Sequence, residues 1–146
     1  MMKKNILVFE DDGAALAFAN ALAKSSKASE LLLTSYSWTD VEYWLNESPG
    51  ASTFAALVFD LKLPYEKLRQ YNNIEYNEDI FGSPAHYFIE NYIRPNHSEL
   101  LDRIIIFSAY IDDVRPKWPN IDDYIVINKL DGGSVAKLLN KVGRLM

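Results

Sequence analysis

Four short apolar runs, each ending in a residue that carries chemistry, constrain this chain more than any other feature. Ile6-Leu7-Val8-Phe9 leads into Glu10-Asp11-Asp12, and Ala56-Leu57-Val58-Phe59 leads into Asp60-Leu61-Lys62-Leu63-Pro64. Ile104-Ile105-Ile106-Phe107 ends in Ser108-Ala109, and Tyr124-Ile125-Val126-Ile127-Asn128 ends in Lys129. Continuous apolar runs of this length, bounded by polar residues, suit strands buried on both faces of a parallel sheet. Parallel strands all end on one edge. Folding would therefore gather the acids Glu10, Asp11 and Asp60 with the Ser108 hydroxyl and the Lys129 ammonium.

The segments between these runs read mostly as helices. Asp12 can cap a helix over roughly 14–26, where Ala15, Phe18, Ala19 and Leu22 share one face. Residues 30–36 read as a further strand. Thr39 and Glu42 have capping-box spacing, which predicts a short helix over about 40–47, stopped by Pro49-Gly50. Ser83 and Pro84 are suited to the cap and first position of a helix running to about Tyr92, and Pro95 is expected to end it. A last helix opens at Gly132-Gly133-Ser134, with Val135, Leu138, Leu139 and Val142 along one face. Strands near 5–10, 30–36, 54–60, 103–108 and 123–128 alternating with helices predict an α/β fold with right-handed crossovers. The expected architecture is flavodoxin-like: a doubly wound, five-stranded parallel sheet of order 2-1-3-4-5. In such sheets sites form outside the carboxyl ends of the strands.

With 146 residues, the chain is expected to form one domain, residues 1–146. The segment from about 65 to 81 stands apart. It is polar, contains Tyr65, Tyr71 and Tyr76, and reads as an insertion after the third strand, lying over or beside the strand-end site. A net charge of -5 argues against a nucleic-acid surface, which depends on clustered Lys and Arg. No apolar run approaches the roughly 20 residues needed to span a bilayer. The absence of cysteine excludes disulfides and thiolate metal sites and suits a cytoplasmic protein.

The strand-end residues have plainer readings when taken singly. Asp11-Asp12 can be helix capping, Ser108 can be a cap, and Lys129 can be a solvated surface lysine. Asp60 has no capping role to fill. Holding Glu10, Asp11 and Asp60 together is costly without a cation, because like charges disfavour joint ionisation. Mg²⁺ accepts one or two carboxylates and keeps several waters. A carboxylate beside such an ion can attack phosphorus and form an aspartyl phosphate. Lys129 and Ser108 could then stabilise the charge on the phosphoryl oxygens, and Ala109 is small enough to leave the position open.

Taken together, these fragments resemble the receiver domain of two-component response regulators over about residues 4–144. The resemblance implies that Asp60 is the phosphoacceptor, that Asp11 is a direct Mg²⁺ ligand with Glu10 the second acid, and that the Lys62 backbone carbonyl is a further ligand. It implies that Ser108 is the switch hydroxyl and Lys129 the phosphate-pairing lysine, with Pro64 matching the proline after the acceptor. The phosphate would come from a histidine kinase or phosphotransfer protein, and the chain would be a stand-alone signalling phosphoacceptor rather than a turnover enzyme.

The chain also departs from the receiver pattern. Leu130 follows Lys129 where receivers usually have proline, and Val126 occupies the usual aromatic switch position, with Tyr124 nearby. Pro116 and Pro119 predict that the helix between the fourth and fifth strands is short or absent. These changes fall on the face that receivers commonly use for output and dimerisation, while the tyrosines of the 65–81 insertion suggest a partner or homodimer contact. The departures suggest a second reading, a pseudo-receiver that binds a protein without switching. A third, a phosphohydrolase of the haloacid-dehalogenase type, requires an acid two positions after Asp60, where Lys62 stands. His86 and His97 read as surface residues, and Trp38, Trp44 and Trp118 as packing residues.

Overall fold

The computed structural model describes residues 5–9, 32–35, 38–61 and 83–145. Five parallel strands form one sheet: β1 (Asn5–Phe9), β2 (Leu32–Ser35), β3 (Phe54–Phe59), β4 (Ile104–Ser108) and β5 (Ile125–Asn128). Their order is β2-β1-β3-β4-β5, the arrangement expected for a doubly wound flavodoxin-like sheet. The register pairs Phe9 with Phe59, Phe59 with Ile106, and Ser108 with Asn128, so β1 and β3 end together and β4 and β5 end together two residues further along the same edge. The expected helix over 14–26, the Asp12 cap, Pro64 and the 65–81 insertion lie outside the described residues.

Both faces of the sheet are covered, which is why β1, β3 and β4 are buried along their whole lengths. On one face Leu7, Phe9, Leu57, Phe59, Ile104 and Ile106 enter one core. On the other, Ile6, Val8, Ala56, Val58, Ile105 and Phe107 enter a second. This alternation follows from the two-residue period of a strand. The Phe9 and Phe59 rings lie 6.0 Å apart, and Phe59 lies 6.5 Å from Phe88 of the covering helix.

Helix α1 (Trp38–Asn46) buries Val41 and Leu45 on the first core and packs Trp44 against it. It begins before Thr39, so Thr39 lies in its first turn rather than at its cap. Beyond α1 the chain turns through Gly50, whose φ of 96° lies in the left-handed region that favours glycine. The last helix, here called α5 (Ser134–Leu145), covers the second core with Leu138 and Val142, while Leu139 packs at its side. Val135, expected on the same face, lies in the first turn of the helix and is 44% exposed.

Helix α2 (Pro84–Phe88) starts as the sequence indicates, with Ser83 Oγ accepting the His86 N–H at 3.1 Å. It does not stop before Pro95. It widens into a π-helical turn (Ile89–Ile93) and resumes as α3 (Arg94–Asn96). The Arg94 amide reaches back five residues to the Ile89 carbonyl. Pro95 lacks the N–H that an α-helix would direct at the Asn91 carbonyl, and the wider turn lets the helical path pass it. Between β4 and β5 the expected shortening is present: α4 (Ile111–Val114) spans four residues, and 3-10 turns follow at Arg115–Lys117 and Ile121–Asp123. Among the described residues no helix is long and apolar enough to cross a membrane.

Candidate functional site

Three of the strand-end residues meet at one carboxylate. Asp60 follows the last residue of β3, is 8% exposed, and donates its backbone N–H to the Phe9 carbonyl at 3.2 Å. Ser108, the fully buried last residue of β4, donates its hydroxyl to Asp60 Oδ1 at 2.8 Å. Its Oγ also accepts the Tyr110 N–H at 3.1 Å, which leaves the hydroxyl hydrogen aimed at the acid. Lys129, one residue beyond β5, places Nζ 2.9 Å from Asp60 Oδ2. Each carboxylate oxygen therefore accepts a different donor, one neutral and one cationic.

The backbone sets this convergence. The Lys129 N–H donates to the Ser108 carbonyl at 2.9 Å, extending the β4–β5 pairing past the end of the sheet. Asn128 Oδ1 accepts the Leu130 N–H at 2.9 Å, shaping the turn at the position where the receiver pattern usually has proline. Ser134 Oγ donates to the Lys129 carbonyl at 3.4 Å, tying the turn to the start of α5. Sequence reasoning missed Phe107, whose ring lies 5.2 Å from Lys129 Nζ. Its only signal was an aromatic side chain immediately before the hydroxyl.

Glu10, Asp11 and Lys62 lie outside the described residues. Among the described residues no group of three or more His, Cys, Asp or Glu side chains gathers as a metal site. The β1–β3 register bears on the expected ligand set nonetheless. Phe9 pairs with Phe59, Glu10 follows Phe9 directly in sequence, and Asp60 follows Phe59. The donor set in prospect is carboxylate and carbonyl oxygen, the hard chemistry that suits Mg²⁺.

A second polar cluster borders the first core, to which its Trp118 and Tyr124 belong. Glu90, on the wide turn, accepts Arg94 Nε at 2.9 Å, Trp118 Nε1 at 3.3 Å and the Tyr124 hydroxyl. Arg94 Nη2 also donates to the Tyr124 oxygen at 2.7 Å. Burial pushes the Glu90 carboxyl up, but the Tyr124 and Arg94 hydrogen bonds, the Arg94 charge and the Trp118 N–H outweigh it and hold the group below its usual range. Burial, and then the adjacent Glu90, push the Tyr124 phenol up. Tyr124 thus anchors the approach to β5 and stands away from the strand-end acid.

His86 belongs to this cluster, and its expected surface position is corrected. It is buried, its ring stacked on Trp118 at 4.3 Å and 10°. Residues 86 and 90 lie one helical turn apart, so the face that meets Trp118 takes in the histidine. The His97 side chain is also largely enclosed, at 12% exposure, with Nε2 2.9 Å from Asn46 Oδ1. Trp118 is fully buried, in keeping with its packing role.

Burial lowers the His86 pKa to about 4, against a partial upward pull from Glu90. The unfolded chain therefore takes up a proton first as pH falls through about 6.5. His86 favours the fold fully above that pH and loses the contribution progressively toward pH 4. Between pH 7 and pH 5 a loss of about 1–3 kcal/mol is expected, since one pKa unit corresponds to about 1.4 kcal/mol. Urea unfolding at the two pH values checks it. His86→Phe should flatten the slope, and an unchanged slope would refute the assignment.

No protein-family model matches this chain, and no curated protein is similar to it. Solved structures are similar in fold. A sensor protein from Polaromonas sp. JS666 superposes with a TM-score of 0.59 at 16% identity, covering 98% of this chain and 95% of that one. The phosphorylated cyanobacterial phytochrome response regulator RcpA superposes with a TM-score of 0.51 at 17% identity, covering 97% and 90%. With the sheet order, these likenesses show that the chain has the fold of a response-regulator receiver domain.

Proposed function

We propose that this chain is a phosphoacceptor receiver in a two-component phosphorelay, a signalling protein rather than a turnover enzyme, working in the cytoplasm. The observation that carries this reading is the convergence of the Ser108 hydroxyl and the Lys129 ammonium on separate oxygens of the buried Asp60 carboxylate. Asp60 is the nucleophile. One of its oxygens forms a bond to phosphorus as the P–N bond of a phosphohistidine breaks, and the departing imidazole nitrogen takes a proton from solvent to leave neutral histidine. The donor is a histidine kinase or phosphotransfer protein. Ser108 and Lys129 then turn from carboxylate to phosphoryl oxygens, where negative charge concentrates. Glu10, Asp11, Asp60 and the Lys62 carbonyl would hold Mg²⁺, which when bound neutralises charge between carboxylate and phosphate.

Incubation with a small acyl phosphate and Mg²⁺, followed by intact-mass analysis, tests this reading. A single phosphoryl adduct is expected on the wild-type chain, sensitive to hydroxylamine as an acyl phosphate is. Asp60→Asn should abolish it. No adduct, or one that survives that substitution, would sink the proposal.

A second reading, a pseudo-receiver that binds a partner without switching, draws on the four-residue α4 and the hydrogen-bonded Tyr124. A beryllofluoride titration separates the two. NMR shifts confined to the strand-end pocket favour the second reading, and shifts extending to α4 and β5 favour the first.

A further inference from the structure

We infer that Phe107 is a positioning residue for Lys129, its ring face holding the ammonium at the height of the Asp60 carboxylate. The inference rests on the phosphoacceptor reading for its functional consequence and on geometry for its physical content. Phe107 is 4% exposed and belongs to the core between the sheet and α5. It pairs across the β4–β5 ladder with Ile127, and Lys129 stands two residues further on, on the same face of the sheet by the two-residue period. From there the Lys129 stem carries Nζ to 5.2 Å from the ring centroid and 2.9 Å from Asp60 Oδ2. Both distances suit the interactions they describe: an ammonium is attracted to an aromatic face within about 6 Å.

The two anchors differ in what happens to them when Asp60 reacts. The carboxylate oxygen that accepts Nζ changes partners as the acyl phosphate forms. The ring does not change. A lysine side chain has four rotatable bonds, and at 26% side-chain exposure this one has open solvent beside it. A second anchor that persists through the reaction restricts Nζ to a small arc reaching both the carboxylate and the phosphoryl oxygens beyond it. Phe107 is placed against Lys129 and not against substrate or metal in this scheme, and it acts through Lys129.

The experiment compares the wild-type chain with Phe107→Trp, Phe107→Met and a chain carrying pentafluorophenylalanine at position 107 by stop-codon suppression. Pentafluorophenylalanine keeps the shape and apolar character of the ring while reversing the charge of its face, so packing alone predicts no effect. Folding is checked by urea unfolding. Two readouts are taken. The first, without any phosphodonor, is the NMR shift of the Lys129 methylene protons, expected to lie upfield in wild type and to return toward the ordinary lysine value in Phe107→Met. The second is the rate of adduct formation from the acyl phosphate. It should fall about 3- to 10-fold in the methionine and pentafluorophenylalanine chains and hold in Phe107→Trp. Ordinary lysine shifts in the wild type, or equal rates in the wild-type and pentafluorophenylalanine chains, would overturn the inference. A wild-type chain that forms no adduct but shows the upfield lysine signal refutes the phosphoacceptor reading while upholding the Phe107–Lys129 contact.

Discussion

Lys129→Ala is expected to slow formation of the Asp60 adduct by about 10²- to 10³-fold, the cost of deleting one preorganised donor to developing charge. The expected effect is electrostatic. Nζ sits 2.9 Å from Asp60 Oδ2, and a water entering the space that it leaves would bring a neutral donor in place of a fixed positive charge. Ser108 stays on Oδ1, and the variant should retain a measurable residual rate. Lys129→Arg should recover only part of the loss, because a planar guanidinium cannot occupy the position of a compact ammonium. Single-turnover labelling with the acyl phosphate measures both variants. A change in Lys129→Ala smaller than threefold would show that the lysine does no more than neutralise the resting carboxylate.

Trp118→Ala should cost about 3–5 kcal/mol of folding stability, the range for removing a large aromatic from a core. The side chain is fully buried, with His86 stacked on it and the Tyr124 ring tilted against it at 5.5 Å. Its indole N–H also serves Glu90. Truncation opens a cavity beneath the polar cluster and removes one donor to a carboxylate that keeps those of Arg94 and Tyr124. Trp118→Phe separates the two effects, since it fills much of the space and lacks the donor. Urea unfolding followed by circular dichroism should place Phe well above Ala. Equal losses would assign the whole effect to the lost hydrogen bond.

The sheet was legible in the sequence because buried parallel strands need near-continuous apolar runs, and few other elements produce them at this spacing. The meeting of Asp60, Ser108 and Lys129 followed from the same rule, since parallel strands end together. The histidines were not legible. Whether His86 faces solvent depends on Trp118, far along the chain, and no local period reports that contact. Pro95 misled for a related reason: a proline stops an ideal α-helix, but a turn widened by one residue absorbs it. Tyr124 was noticed only as lying near the aromatic switch position, while its bonds to Glu90 and Arg94 depend on the face that the wide turn presents.

The hydrogen bonds past the strand tips, from the Asp60 amide to the Phe9 carbonyl and from the Lys129 amide to the Ser108 carbonyl, have a thermodynamic consequence. They fix the main chain at the ends of β1, β3, β4 and β5 during folding, when the conformational entropy of those residues is lost along with that of the rest of the domain. Whatever then reacts at Asp60 meets donors whose backbone ordering is already complete, and only side-chain torsions are left to adjust. The large entropic term of assembling a carboxylate, a hydroxyl and an ammonium in one place is thus charged to the stability of the sheet and not to the barrier of the reaction.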